Sequence, residues 1–190
     1  MSVSAYVDES EPSSGETYLL GCALVGADDA DGVRTTLVRA RRRGERKVHW
    51  HDRLPAERPP LARLVAGLPV KHLLVVRDDC RGEPSERRRR KCLEHLLWIL
   101  DSAHEVGSVT LEARQARQNA GDMELLSVMR SARIVRSDLR LHHVAGPQEP
   151  LLWIPDVVAG AFSAGRSGEH PAYAPLLGGV EVQHTPGSGT

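Results

Sequence analysis

Ser2-Val3-Ser4-Ala5-Tyr6-Val7 alternates small polar and apolar residues, the period of a strand, and stops on two adjacent carboxylates, Asp8 and Glu9. Pro12, Ser13, Ser14 and Gly15 supply turn chemistry, and Thr17 to Val25 predicts the second strand of a hairpin. The period then changes. Asp31 is placed to cap a helix through Val33, Leu37, Val38 and Ala40 that ends near Gly44. Lys47 to Asp52 suits a brief strand or a loop packed by Trp50. Leu61, Leu64, Val65 and Leu68 predict a helix within Pro55 to Leu68. Val70 to Val76 is a nearly unbroken apolar stretch of the kind buried on both faces of a sheet, and Asp78 to Gly82 turns the chain. Pro84 and Ser85 open the longest helix, from Glu86 to about Val106, with Cys92, Leu93, Leu96, Leu97, Leu100 and Ala103 as its apolar stripe.

The second half repeats the alternation of strands and helices. Ser108 to Ala113 predicts a strand, Asp122 to Arg133 a helix, Asp138 to Val144 a strand and Leu151 to Ala164 a small-residue-rich helix. Leu176 to Val182 suits a short docked strand, and Thr185 to Thr190 is expected to be disordered. This order implies an α/β fold with a mixed sheet flanked by helices, over residues 1–165, followed by a tail over 166–190 that is partly docked and partly disordered.

Composition narrows the partners. Lys+Arg and Asp+Glu balance at 25 each, so no global field draws the chain to nucleic acid or to a membrane. Basic charge is clustered in Arg39 to Arg43 and in Arg87 to Lys91. The second cluster lies in the first turns of a helix, against the macrodipole, which suggests a purpose other than helix stability. A phosphate backbone would match both clusters electrostatically; a solvated helix face is the plainer account. Three widely spaced cysteines, Cys22, Cys80 and Cys92, give neither a disulfide framework nor a zinc pattern and suggest a reducing, cytoplasmic setting, with Cys80 as the one expected at the surface. No run approaches the roughly 20 apolar residues that cross a bilayer.

Three carboxylates stand in unusual contexts. Asp8 ends the first strand, Glu112 lies at the end of Val109-Thr110-Leu111, and Asp156 is the only charge in Leu151 to Phe162. A carboxylate buried without partners costs several kcal/mol, so Asp156 needs solvent, a helix start or a compensating group. Pro155 fits a first helical turn, which would set Asp156 near the positive end of the helix.

Ala5-Tyr6-Val7-Asp8-Glu9-Ser10 with the following Leu19 to Val25 strand, together with Leu152-Trp153-Ile154-Pro155-Asp156-Val157-Val158-Ala159-Gly160-Ala161, resembles the DUF3800 family. That resemblance implies a ribonuclease H-like fold and a divalent-metal-dependent nuclease, with Asp8, Glu112 and Asp156 as catalytic carboxylates and Mg²⁺ or Mn²⁺ as cofactor. Glu11 stands where the family usually has glycine, and Trp153 and Pro155 replace its commoner residues before the helix aspartate. Hard divalent cations bound by carboxylates would neutralise charge at phosphorus and activate a water, which requires acids from distant elements to converge.

Other residues are weighed beside these. Glu9 is a further metal-ligand candidate, although strand alternation turns it away from Asp8. His49 and His51 alternate around Trp50, and His49 suits substrate contact or proton transfer. Arg114, two residues after Glu112, suits a phosphate or an ion pair with that same carboxylate. Asp78 and Asp79, after the core strand, rival Glu112 as the third acid. His142 and His143 fit a solvated polar strand. The alternatives to a nuclease are a non-catalytic domain of the same fold that binds nucleic acid or protein, and an enzyme acting on a small phosphorylated metabolite.

Overall fold

A computed structural model describes residues 2–12, 15–166 and 173–185. Its strands are β1 (Val3–Ser10), β2 (Tyr18–Gly26), β3 (Val70–Arg77), β4 (Ser108–Glu112), β5 (Arg140–Val144) and β6 (Val180–His184). Its helices are α1 (Ala30–Arg39), α2 (Arg58–Ala66), α3 (Ser85–Ser102), α4 (Ala116–Ser131) and α5 (Trp153–Arg166). The strands form one six-stranded mixed sheet in the order β5-β4-β1-β2-β3-β6. β1, β2 and β3 are antiparallel neighbours, whereas β4 joins β1, β5 joins β4 and β6 joins β3 in parallel. The expected α/β architecture with helices flanking a mixed sheet is what the chain adopts.

Strand alternation sorts the side chains into two layers. Ala5 and Val7 of β1, Leu20 and Cys22 of β2, and Val109 and Leu111 of β4 pack with Leu93, Leu96 and Leu97 of α3 and with Leu125, Leu126 and Met129 of α4. Tyr6, Ala23 and Val25 face the other way, onto Val33 and Leu37 of α1, Ala62 and Val65 of α2, and Ile154, Val157, Val158 and Ala161 of α5. Asp8 continues the Tyr6 face and therefore points toward α5. Glu9 continues the Val7 face and points toward α3.

The close docking of α5 depends on Gly21. It pairs with Asp8 across the β1–β2 ladder, and a Cβ added to it would lie 2.5 Å from the Pro155 carbonyl oxygen. Only a residue without a side chain lets the first turn of α5 settle beside the end of β1. Gly21→Ala is therefore expected to destabilise the fold by about 1–3 kcal/mol, because the obstacle is backbone rather than a side chain that can rotate. Chemical denaturation checks this, and a change within about 0.5 kcal/mol would mean the helix can shift freely.

Several element boundaries differ from the sequence expectation for identifiable reasons. α1 follows Asp29 rather than Asp31, and Asp31 instead pairs with Arg34 at 3.0 Å. α2 begins at Arg58, with Pro59 and Pro60 in its first turn, where the missing N–H groups cost nothing. α4 starts at Ala116, six residues early, as the Gln118 side chain accepts from the Gln115 N–H at 3.3 Å. A 3₁₀ turn over Pro150–Leu152 precedes α5. The docked tail strand runs Val180–His184 rather than Leu176 to Val182. Of the turn residues, Ser13 and Ser14 lie outside the described residues, as do 167–172 and 186–190 of the tail. Cys80 is buried, not at the surface; its Sγ lies 3.3 Å from the Glu16 carbonyl. The Arg87 to Lys91 block is a solvated face only in part: Arg87, Arg90 and Lys91 are exposed, whereas Arg88 and Arg89 are buried. Among the described residues no helix is long and apolar enough to cross a membrane.

Candidate metal centre

β4 runs parallel to β1 with Val7 opposite Leu111, so the next residues, Asp8 and Glu112, leave their strands side by side on the face toward α5. Asp156, in the first turn of α5, comes to the same place over Gly21. All three line one cavity of about 340 Å³.

The opposite wall comes from the segment between α1 and α2. Val48 and Trp50 are buried there, which turns Lys47, His49 and His51 to the cavity although the segment is not a strand. Trp50 anchors it. Its indole occupies the space that a side chain at Gly160 would fill, meets Tyr173 edge-on at 5.3 Å between ring centroids, and carries Arg58 over its face at 5.3 Å. Its backbone N–H donates to Asp156 Oδ2 at 2.7 Å, while His49 Nε2 lies 3.6 Å from Asp156 Oδ1. That amide is one of the compensating groups the solitary carboxylate requires. Lys47 Nζ donates to both oxygens of Glu112, at 2.8 and 3.0 Å. Gly146 closes the other side of Glu112, since a Cβ there would lie 2.5 Å from Oε1. Asp8 Oδ1 accepts from the Glu9 N–H at 2.8 Å.

The electrostatics of the three acids differ. Burial, followed by the charges of Glu112 and Asp156, pushes the Asp8 carboxyl well above the ordinary aspartate range. Burial also raises Asp156, against the lowering pull of His49, the Trp50 N–H and Lys47. Burial would lower Lys47, but its hydrogen bonds to Glu112 and the charges of Glu112, Asp8 and Asp156 prevail and raise it. These are signs of a site short of positive charge.

A pH dependence follows from the raised Asp8. Between its ordinary value of 3.8 and its raised folded value, the folded chain binds more protons than the unfolded one, so stability falls as pH rises through that window. Thermal melts in chelator from about pH 4 to pH 8 should show this fall, and Asp8→Asn should flatten it. Equal slopes in the two proteins would count against the burial of Asp8 as its cause.

The remaining sequence candidates are placed as follows. Glu9 also lines the cavity, but its Oε2 turns toward α3 and accepts from Tyr18 Oη at 2.7 Å and from Arg89 Nη1 at 2.6 Å. His49 reaches the cavity beside Asp156. Arg114 also lines the cavity, but its ion pairs run to Glu86, at 2.5 Å, and Asp122, at 3.6 Å. The expected pairing with Glu112 is not made; β4 ends at Glu112, so the two-residue period no longer governs Arg114. Asp78 binds Arg166, Thr17 and His184 at the end of β3, and neither it nor Asp79, in a turn with φ 53°, lines the cavity. Glu11 is taken by Arg88 Nη1 at 2.5 Å and Ser85 Oγ at 2.6 Å, which fastens the end of β1 to α3.

Two groups escaped sequence reasoning. Lys47 was visible only as one position in the alternation through Trp50. Behind the carboxylates, on the α3 face, Asp122 accepts from Arg89 Nη2 at 2.8 Å and lies 3.0 Å from His143 Nε2. His143 is thus paired rather than solvated, whereas His142 is exposed. Burial would raise Asp122, yet His143, Arg89 and Arg114 together hold it below its ordinary value. Its signal was present in the pattern: Asp122, Leu125, Leu126 and Met129 share one helical stripe.

Among the described residues no three His, Cys, Asp or Glu side chains are gathered tightly enough to hold a metal ion. Both Glu112 oxygens are on Lys47 and one Asp156 oxygen is on the Trp50 amide. Compared with known proteins, the chain matches no family model, and no curated protein matches it.

Proposed function

We propose that this chain is a divalent-metal-dependent phosphodiester hydrolase of ribonuclease H-like fold, acting on RNA or DNA, as its resemblance to DUF3800 implies. The observation that carries this is the convergence of Asp8, Glu112 and Asp156, from β1, β4 and α5, in the lining of one cavity. The mixed sheet supports the fold assignment, with an antiparallel β1-β2-β3 unit and parallel β4 and β5 added beyond β1.

The donor set is all oxygen, which suits a hard cation. Mg²⁺ commonly keeps several waters and uses one or two carboxylates, so Asp8 and Asp156 fit it, with Glu112 joining when Lys47 lets go. When bound, such an ion would neutralise charge on the scissile phosphate and lower the pKa of a water. The protein's own groups do the rest. The Trp50 amide fixes one Asp156 oxygen and leaves the other toward His49. Lys47, His49 and His51 add positive or proton-carrying character to the cavity beside the acids, which suits a phosphate. Arg114 is a weaker phosphate contact, since it is engaged by Glu86 and Asp122. The purified chain should cleave labelled RNA or DNA oligonucleotides in Mg²⁺ or Mn²⁺ and not in chelator; no cleavage of single- or double-stranded forms of either would refute the activity.

The Lys47–Glu112 pair favours a second reading, a non-catalytic domain of this fold that binds nucleic acid or protein. There Lys47 would take the place of the cation permanently. Small phosphorylated metabolites would be bound within the cavity, and competition by inorganic phosphate would reveal that class.

A further inference from the structure

Glu112 is held between two fixed objects. On one side Gly146 leaves no room, a Cβ there lying within 2.5–2.9 Å of its carboxylate atoms. On the other, the Lys47 ammonium spans both oxygens at 2.8 and 3.0 Å. Glu112 therefore has little room to swing aside, and an ion approaching the edge of the carboxylate that Lys47 spans meets the ammonium there. Lys47 is suited to leaving, because it stands on the irregular segment between α1 and α2, at the end of a flexible four-carbon stem. Both partners are partly solvent-accessible, with side chains 24% and 22% exposed, so a withdrawn ammonium has water to enter.

We propose that Lys47 is the resident counter-ion of the carboxylate centre and competes with a divalent cation for Glu112, so that loading the centre requires Lys47 to withdraw. The inference rests on the metal-centre reading given above. It makes Lys47 a positioning residue: it sets how tightly the cation binds and offsets the mutual repulsion of the acids when none is present. The Trp50 amide on Asp156 is untouched by this exchange, and Glu112 is the one of the three acids to which Lys47 hydrogen-bonds.

The test is direct binding of Mn²⁺ to the full chain, by titration calorimetry and by the loss of the free-ion electron paramagnetic resonance signal. Lys47→Met removes the ammonium, Lys47→Gln keeps an amide donor without charge, and Lys47→Arg keeps the charge. Circular dichroism in chelator establishes that each is folded before titration; should Lys47→Met not fold, Lys47→Gln carries the comparison. The neutral variants are expected to bind Mn²⁺ about tenfold tighter or more, the usual worth of a charge-assisted hydrogen bond that no longer has to break, while Lys47→Arg stays near wild type. Adding Glu112→Gln to Lys47→Met should erase the gain, which a general electrostatic effect of removing a positive charge would not do. Equal finite affinities in wild type and both neutral variants would overturn the competition and leave the metal centre standing. No binding by any of them at millimolar Mn²⁺ would overturn both.

Discussion

Asp8→Asn is expected to abolish Mg²⁺- or Mn²⁺-dependent phosphodiester cleavage and, at neutral pH in chelator, to make the protein more stable. The two effects have one cause. Asp8 is half-buried beside two other carboxylates, and its desolvation and their charges lift its carboxyl well above the ordinary range. Above its ordinary value the unfolded chain loses that proton more readily than the folded one, so Asp8 opposes folding there, and a neutral amide of the same shape relieves that. A gain of about 1 kcal/mol, seen as about 2–4 °C in the melting temperature, is the expected scale for one stabilising change in a chain of this size. With the ion present the order should reverse, because wild type gains binding free energy that the variant lacks; at a hundred times the dissociation constant this is about 2.7 kcal/mol. The loss of activity should be about a thousandfold or more, the kinetic equivalent of several kcal/mol of charge stabilisation at phosphorus. Oligonucleotide cleavage and paired melts with and without Mn²⁺ check both halves. A variant that still cleaves at the wild-type rate would remove Asp8 from the chemistry. One that is inactive but less stable in chelator would make it a structural residue instead.

What could be read from the sequence divides along physical lines. The elements were legible because their periods are: β1 alternates, β3 carries the apolar run Leu73 to Val76, and α3 carries a continuous stripe. The two outer carboxylates were legible because charge stood out against apolar neighbours, Asp8 at the end of β1 and Asp156 within α5. Their convergence was not. It depends on Gly21 meeting Pro155 and on the β1–β4 register, and one-dimensional spacing encodes neither contact. Lys47 was hidden because a charged residue in an irregular segment looks solvated; its role appears only when Glu112, 65 positions away, is brought beside it. The arginine block taught the opposite lesson. Its placement against the α3 dipole hinted at a role, and a solvated face or a phosphate backbone were the natural readings. Arg89 in fact lies on the same stripe as Cys92, Leu93 and Leu96, so the apolar pattern already pointed it inward. A charge on a buried stripe calls for an equally buried partner, and Asp122 on the facing stripe of α4 is that partner.

Arg89 is accordingly where a single substitution should do most harm to the fold. Its side chain is 4% exposed and joins Glu9 at 2.6 Å to Asp122 at 2.8 Å, so it connects the end of β1 with α4 through the core. Removing one member of a buried ionic group leaves its partners charged and desolvated, which costs about 3–5 kcal/mol. Arg89→Ala should lose that much in urea denaturation, or more given the volume deleted, and Arg89→Met separates the two contributions by restoring most of the packing. The charge explanation makes a further demand. Adding Glu9→Gln and Asp122→Asn to Arg89→Met should recover a large part of the loss, because no uncompensated charge remains, whereas a packing explanation predicts that the losses simply add. The consequence for the site is specific as well. Glu9 is adjacent to Asp8 and, like Arg89, also lines the cavity; its bonds to Arg89 and Tyr18 pin the strand end there. Arg89→Met should therefore weaken Mn²⁺ binding although the ion pairs of Arg89 run to Glu9 and Asp122, and restoring stability through the triple variant should not restore that affinity. If the triple variant recovers both, Arg89 acts on the centre only through global stability.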